Sequence, residues 1–266
     1  GTLTELLVYV EGPDSGIDIY VDDMQVYGPE IQPGAATGQI DVNTRYQTIE
    51  GFGAAGAWYE GWLTSNSQRE VIYDLIFGDL GLDIYRLRNT YDQGTDGVTY
   101  MNQSAQIVAE AKERNPNIKF LITSWSPPTY LKSNGAISGG GNATLIGGPS
   151  SYDYDGFADW WADSITAWSN IGVDPDYISI QNECDYDATW DSCRFEPTET
   201  STIAGYDIAF ETVYNEMVAR FGASMPKMLG PETTGLSRLG QYLSAIINTS
   251  HMYGYAHHLY NCSNGG

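Results

Sequence analysis

Between Ile49 and Leu259 the chain alternates repeatedly between short runs of β-branched and aromatic residues and longer stretches with apolar residues on one helical stripe. The spacing predicts strands over 49–58, 82–87, 119–124, 177–181, 227–230 and 255–259. It predicts helices over 67–77, 103–114, 155–171, 203–221 and 237–247, with Ile72, Leu75 and Ile76 marking the buried stripe of the first. Strands separated by helices pair in parallel, because a tight turn joins only antiparallel neighbours. An open doubly wound sheet and a closed (β/α)8 TIM barrel both satisfy that pattern. No glycine-rich dinucleotide turn follows an early strand, which counts against the open sheet. Polar and aromatic side chains gather instead at the C-terminal ends of the strands, where barrels keep their chemistry. A barrel of that kind closes with eight strands, and six are legible here. The expectation is therefore an α/β fold, a (β/α)8 barrel left incomplete after its sixth strand.

The strand ends supply a short set of chemically capable residues. Strand two brings Arg86 and Arg88, strand three Trp125, strand four Asn182 and Glu183, strand five Glu232, and strand six His258 and Tyr260. Arg86 and Arg88 share one face of their strand, as do His258 and Tyr260. A buried arginine is costly unless an acid accompanies it, so two on one face predict a carboxylate-rich pocket. Glu183, an acid beside the amide of Asn182, has the chemistry to give a proton to a glycosidic oxygen and take one from water.

Composition removes several alternatives. The balance of 12 Lys and Arg against 34 Asp and Glu leaves a net charge of −22. Nucleic-acid affinity rests on neutralising phosphates with cations, and anionic membranes make the same demand, so both are disfavoured as partners. A neutral polysaccharide remains compatible. The sequence holds no apolar run of about 18 residues, the minimum for a membrane-spanning helix, and no basic-then-apolar leader at its N-terminus. Cys184, Cys193 and Cys262 match no metal spacing and allow at most one bridge. His257 and His258, as neighbours on a strand, point to opposite faces and cannot share a metal. No metal or cofactor is expected.

Three stretches carry a resemblance to glycoside hydrolase family 30. They are Gln47-Thr48-Ile49-Glu50-Gly51-Phe52-Gly53-Ala54, Ser124-Trp125-Ser126-Pro127-Pro128-Thr129-Tyr130-Leu131-Lys132, and Ile178 to Glu183. Tyr85-Arg86-Leu87-Arg88-Asn89 and His257-His258-Leu259-Tyr260 agree at the corresponding places, and the likeness runs over about residues 40–266. It implies a retaining barrel enzyme with Glu183 as general acid/base. Asn182 would bond the sugar 2-hydroxyl and Trp125 would line the ring. Arg86, His258 and Tyr260 would surround a nucleophilic Glu on a seventh strand, a place that no residue up to Gly266 occupies. Tyr186 and Trp190, in the loop after Glu183, are the candidate walls of a sugar subsite. Trp58, Tyr59 and Trp62 could serve either as stacking platforms or as packing. Arg88 reads as salt-bridged scaffold, Trp160, Trp161 and Trp168 as core, and Glu232 as structural or rim. One departure stands out: Cys184 follows the Asn-Glu pair where the family usually carries proline.

The alternating Ile17-Asp18-Ile19-Tyr20-Val21-Asp22 run and its surroundings over 1–28 are similar to the closing strands of a jelly-roll carbohydrate-binding module, with 29–38 as linker and 39–266 as partial barrel with a first side-domain strand. That likeness, and Asp185–Glu199, imply the xylanase branch: an endo-β-1,4-xylanase of glucuronoxylanase type, secreted, acting as a monomer on xylan. The alternatives are a β-1,6-glucanase or other family 30 glycosidase, and a carbohydrate-binding protein without turnover.

Overall fold

The computed structural model describes residues Ile49–Tyr260. The predicted binding-module strands and linker lie outside the described residues, as does Cys262. Six strands form one sheet in the order β1-β2-β3-β4-β5-β6, every pair parallel. They are β1 (Gly53–Ala55), β2 (Ile84–Asn89), β3 (Lys119–Ser124), β4 (Tyr177–Ser179), β5 (Lys227–Thr233) and β6 (Gly254–His257). The helices are α1 (Glu60–Ser65), α2 (Arg69–Tyr73), α3 (Gly94–Arg114), α4 (Tyr154–Asn170), α5 (Tyr206–Phe221) and α6 (Leu236–Ala245). This is the six-strand portion of a (β/α)8 barrel. A chain-ordered sheet with a crossover between successive strands is what the alternation required.

One face of the sheet is packed by helices. On β2 and β3, Tyr85, Leu87, Phe120 and Ile122 are buried at every second position, as the period of a strand dictates. The core gathers these with Ile107, Val108 and Ala111 of α3, Phe157, Trp161 and Trp168 of α4, and Phe210, Val213 and Met217 of α5. Each large side chain so buried is worth about 1.5–3 kcal/mol relative to exposure. Trp160, Trp161 and Trp168 are core, as their helical spacing indicated. Some polar groups in this layer are paired, whereas Tyr85 Oη and Trp161 Nε1 have no hydrogen-bond partner. Asn89 Oδ1 accepts from Trp168 Nε1 at 3.2 Å, and its Nδ2 donates to Ser164 Oγ at 3.0 Å. Asp153 caps α4 by accepting from the Gly156 N–H at 2.9 Å, leaving fewer orphan donors at the helix start.

Several boundaries differ from expectation for identifiable reasons. The first strand is only Gly53–Ala55, because Gly51, Gly53 and Gly56 interrupt the run with residues of little strand propensity. The helix expected over 67–77 is split: α2 passes into a π-helical turn over Asp74–Asp79. Helix α3 starts nine residues early by the sequence reading, at Gly94. Its first turns hold Gly97 and two threonines, poor helix formers, yet Gly97 is required where a Cβ would collide with the Thr90 carbonyl. Strand β5 runs past Pro231 to Thr233, with a register shift between Pro231 and Thr233. Glu232 is the extra residue of that irregularity. It has φ +57°, and Glu183, at the end of β4, has φ +46°.

Candidate active site

Five strand ends converge here. Arg86, on β2, reaches across to β4 and β5: its Nη2 donates to Asn182 Oδ1 at 2.7 Å and forms an ion pair with Glu232. Its Nε donates to Thr123 Oγ1 on β3 at 3.0 Å. The guanidinium also lies 4.4 Å from the ring centroid of Trp125, a cation–π distance. Because the arginine only donates, the amide of Asn182 must present its oxygen to it, with Nδ2 turned the other way.

His258 completes the ring. Its Nδ1 lies 2.8 Å from Glu183 Oε1 and its Nε2 3.2 Å from Glu232 Oε1, so one imidazole bridges the two acids. Burial disfavours its charge, but the hydrogen bonds to Glu183 and Glu232 outweigh that and raise its pKa to about 9. At neutral pH both nitrogens therefore carry protons and both donate. Burial alone would push the Glu232 carboxyl up; the Arg86 charge and the His258 hydrogen bond hold it below the usual carboxylate range instead. The main chain fixes the same geometry, since Glu183 N–H donates to the Glu232 carbonyl at 3.0 Å and Asn182 N–H to the Ser124 carbonyl at 2.7 Å.

The sequence-predicted residues come together here. Glu183, Asn182, Trp125, Arg86 and His258 share these contacts, and the Tyr260 ring stands 5.6 Å from that of His258. A cleft of about 350 Å³ opens beside them, lined by Glu183, Tyr186, Trp190, Thr234 and Tyr260. Tyr186 and Trp190 are half exposed, with ring centroids 6.0 Å apart. Of the structural and rim readings of Glu232, its burial fits the structural one: only 4% exposed, it forms the floor on which Arg86 and His258 rest. A bulge re-aims the side chain it carries, and the Gly230-Pro231 punctuation before it was the available signal.

Trp58, left open by the sequence, packs edge-on to Trp125 at 6.1 Å. Tyr59 and Trp62 instead line a separate apolar groove with Leu63, Ile76 and Leu80. Arg88 is the scaffold residue expected, paired with Glu60 at 3.2 Å and Asp191 at 3.5 Å. Cys184 and Cys193 are free and fully buried, and the Cys184 thiol donates to the Pro231 carbonyl at 3.1 Å. Among the described residues no His, Cys, Asp and Glu group has the arrangement of a metal site, and no helix is long and apolar enough to cross a membrane.

Comparison with known proteins gives this geometry its context. A family model described as glycosyl hydrolase family 59 matches residues 94–203. An endo-1,6-β-D-glucanase of Aspergillus fumigatus is 36% identical over 87 residues, covering 30% of this chain and 18% of that relative. The catalytic domain of GH30 xylanase C from Talaromyces cellulolyticus shares the fold with a TM-score of 0.66 at 23% identity, over 82% of this chain and 55% of that one. A solved endo-β-1,6-glucanase does so with a TM-score of 0.62 at 21% identity, over 81% of this chain and 53% of that one. The chain thus spans about half the length of these solved structures. The fold is that of these solved barrels, and the motifs that resemble family 30 lie on it.

Proposed function

We propose that this chain carries the acid/base side of a retaining glycoside hydrolase acting on a β-linked polysaccharide. Glu183 gives its proton to the leaving sugar oxygen and, once ionised, activates the water that releases the product. His258 stands ready for that change, because its Nδ1–H stabilises the carboxylate as it forms. Arg86 orients the Asn182 amide so that Nδ2 is available to the 2-hydroxyl, and Trp125 forms the wall against the ring. Tyr186 and Trp190 offer flat apolar faces to a neighbouring sugar. The nucleophile is a Glu of a seventh strand, about 5–5.5 Å from Glu183, the separation that retention requires. Glu232 is not assigned that part, because it stands at the end of β5 rather than on a seventh strand. The observation that supports the reading best is the single imidazole joining Glu183, which lines the cleft, to the buried Glu232.

Two substrates stand level. β-1,4-xylan is the one that the Asp185–Glu199 loop resembles. β-1,6-glucan is favoured by the 36% identity to a fungal enzyme of that name. Reducing-sugar release from xylan and from pustulan, measured side by side on the protein as its gene encodes it, decides between them. In the same assay Glu183→Gln is expected to lower the rate on either polymer by about 10²–10⁴-fold. Azide should restore turnover of an activated aryl glycoside, since it needs no base to attack the glycosyl intermediate. A Glu183→Gln protein that digests polymer as fast as its parent removes the assignment.

A further inference from the structure

Lys132 closes the Ser124–Lys132 motif, and nothing in the chemistry above uses it. It is 2% exposed. An ammonium buried this deeply needs all three of its N–H groups satisfied. Lys132 Nζ has three acceptors, all main-chain carbonyls: Ile137 and Ser138, each at 3.1 Å, and Ser192. The first two belong to the loop between β3 and α4. The third belongs to the loop between β4 and α5, which carries Tyr186 and Trp190.

Around that point the two loops are laced together. Gly139 N–H donates to the Trp190 carbonyl at 2.7 Å, and Ser138 forms an antiparallel bridge with Asp191. Asn142 N–H donates to Asp187 at 2.9 Å, and Ser192 Oγ donates to the Tyr186 carbonyl at 3.2 Å. The Asn142–Asp187 contact is exposed, where water competes for it, and the Ser192–Tyr186 contact is part-buried. The buried cation beneath them is what both loops share.

We propose that Lys132 is a positioning residue whose three carbonyl contacts lock the β3–α4 loop to the β4–α5 loop and thereby set the Tyr186–Trp190 wall for a polymeric glycan. The inference deepens the hydrolase reading and rests on it for its substrate. The lock itself is a property of the loops and is read independently. Lys132 touches no reacting atom, so its loss weakens the hold on a long chain without slowing cleavage of a small glycoside.

The test uses Lys132→Met, which keeps the length of the side chain and deletes its donors. Hydrogen–deuterium exchange of peptides covering 133–144 and 185–194 is expected to accelerate at least tenfold, with β2 and β3 unchanged. On the polysaccharide that the parent digests, KM is expected to rise about tenfold. On an activated aryl monoglycoside, kcat is expected to stay within twofold. Should Lys132→Met fail to fold, Gly139→Ala probes the same seam from its surface, because a Cβ there collides with the Ala188 carbonyl and the Ser192 side chain. The same acceleration and the same split between substrates are expected. Unchanged exchange in both loops overturns the proposal, as does an equal fall of kcat on both substrates. If the parent hydrolyses no glycan, the hydrolase reading falls, and exchange alone then decides the role of Lys132.

Discussion

Two regions separated by one step along β2 use the same residue type to different ends. Arg86 lies under the pocket with Asn182, Glu232 and Trp125. Arg88, two residues on and on the same strand face, lies under the loops with Glu60, Asp191 and the ring of Trp58 at 4.0 Å. Both cations are largely buried and both have acids. What differs is what the acids belong to. Around Arg86 the one acid, Glu232, comes from the end of β5 beside the cleft; around Arg88 the two acids come from a helix and a loop that only support it. A buried charge thus takes its function from its partners' location, and the pattern of the strand alone does not assign it.

The sharpest way to break that contrast is to remove each guanidinium in turn. Removing one partner of a buried pair leaves the other charge uncompensated, at about 3–5 kcal/mol. Arg86→Met and Arg88→Met should therefore lower stability by similar amounts in urea denaturation. Their kinetics should part: a misplaced Asn182 and Glu232 are expected to cost Arg86→Met on the order of 10²-fold in kcat/KM, against less than about tenfold for Arg88→Met. Equal losses of activity would dissolve the distinction. Replacing the second pair outright, as Arg88→Met with Glu60→Leu, should recover most of the lost stability, since paired burial of charge is often matched by apolar packing.

A second test sharpens the pocket side. The folded pKa of His258, about 9, lies above the ordinary histidine value of 6.5. Its contribution to stability is then fully present below about pH 6.5 and is lost as pH rises through about 9. The stability of the parent should fall across that window by an amount on the order of a few kcal/mol, read as a falling melting temperature. His258→Gln should flatten that part of the profile. A parent profile that is level from pH 6.5 to 9.5 would show that the bridge to Glu183 and Glu232 carries no net charge–charge stabilisation.

The smallest effect belongs to a cation outside both regions. Arg220, on α5, pairs with Asp159 and Asp163 of α4 and with Glu216. It is exposed enough for solvent to screen these bonds, so Arg220→Ala should cost no more than about 1 kcal/mol. A loss comparable to that of Arg88→Met would mean that burial is not what separates the two.

The fold was legible because alternation of strands and helices is a repeated, long-range pattern that individual weak residues cannot disguise. Strand ends were legible for the same reason, which is why Arg86, Trp125, Asn182, Glu183 and His258 could be named together. Glu232 was named with them as the end of strand five, but its place in the floor was not legible, since Pro231 signals the end of a strand and only the pairing of β5 with β6 reveals that the strand resumes after a bulge. Helix α3 hid its first turns because Gly97 answers to a neighbouring carbonyl rather than to helix propensity. Lys132 was visible as part of a motif, but its partners are main-chain oxygens, which every residue has, so no side-chain pattern could announce them.

Both pocket glutamates hold left-handed backbone angles, φ +46° at Glu183 and +57° at Glu232. Such conformations disfavour any residue with a Cβ and suit glycine. At Glu183 a screen for heat resistance alone therefore sets two terms against each other, the backbone strain that glycine would relieve and the His258 contact that it would lose. A campaign to harden this protein has to keep an activity assay beside the heat screen, because the acid/base role proposed for Glu183 is invisible to heat alone.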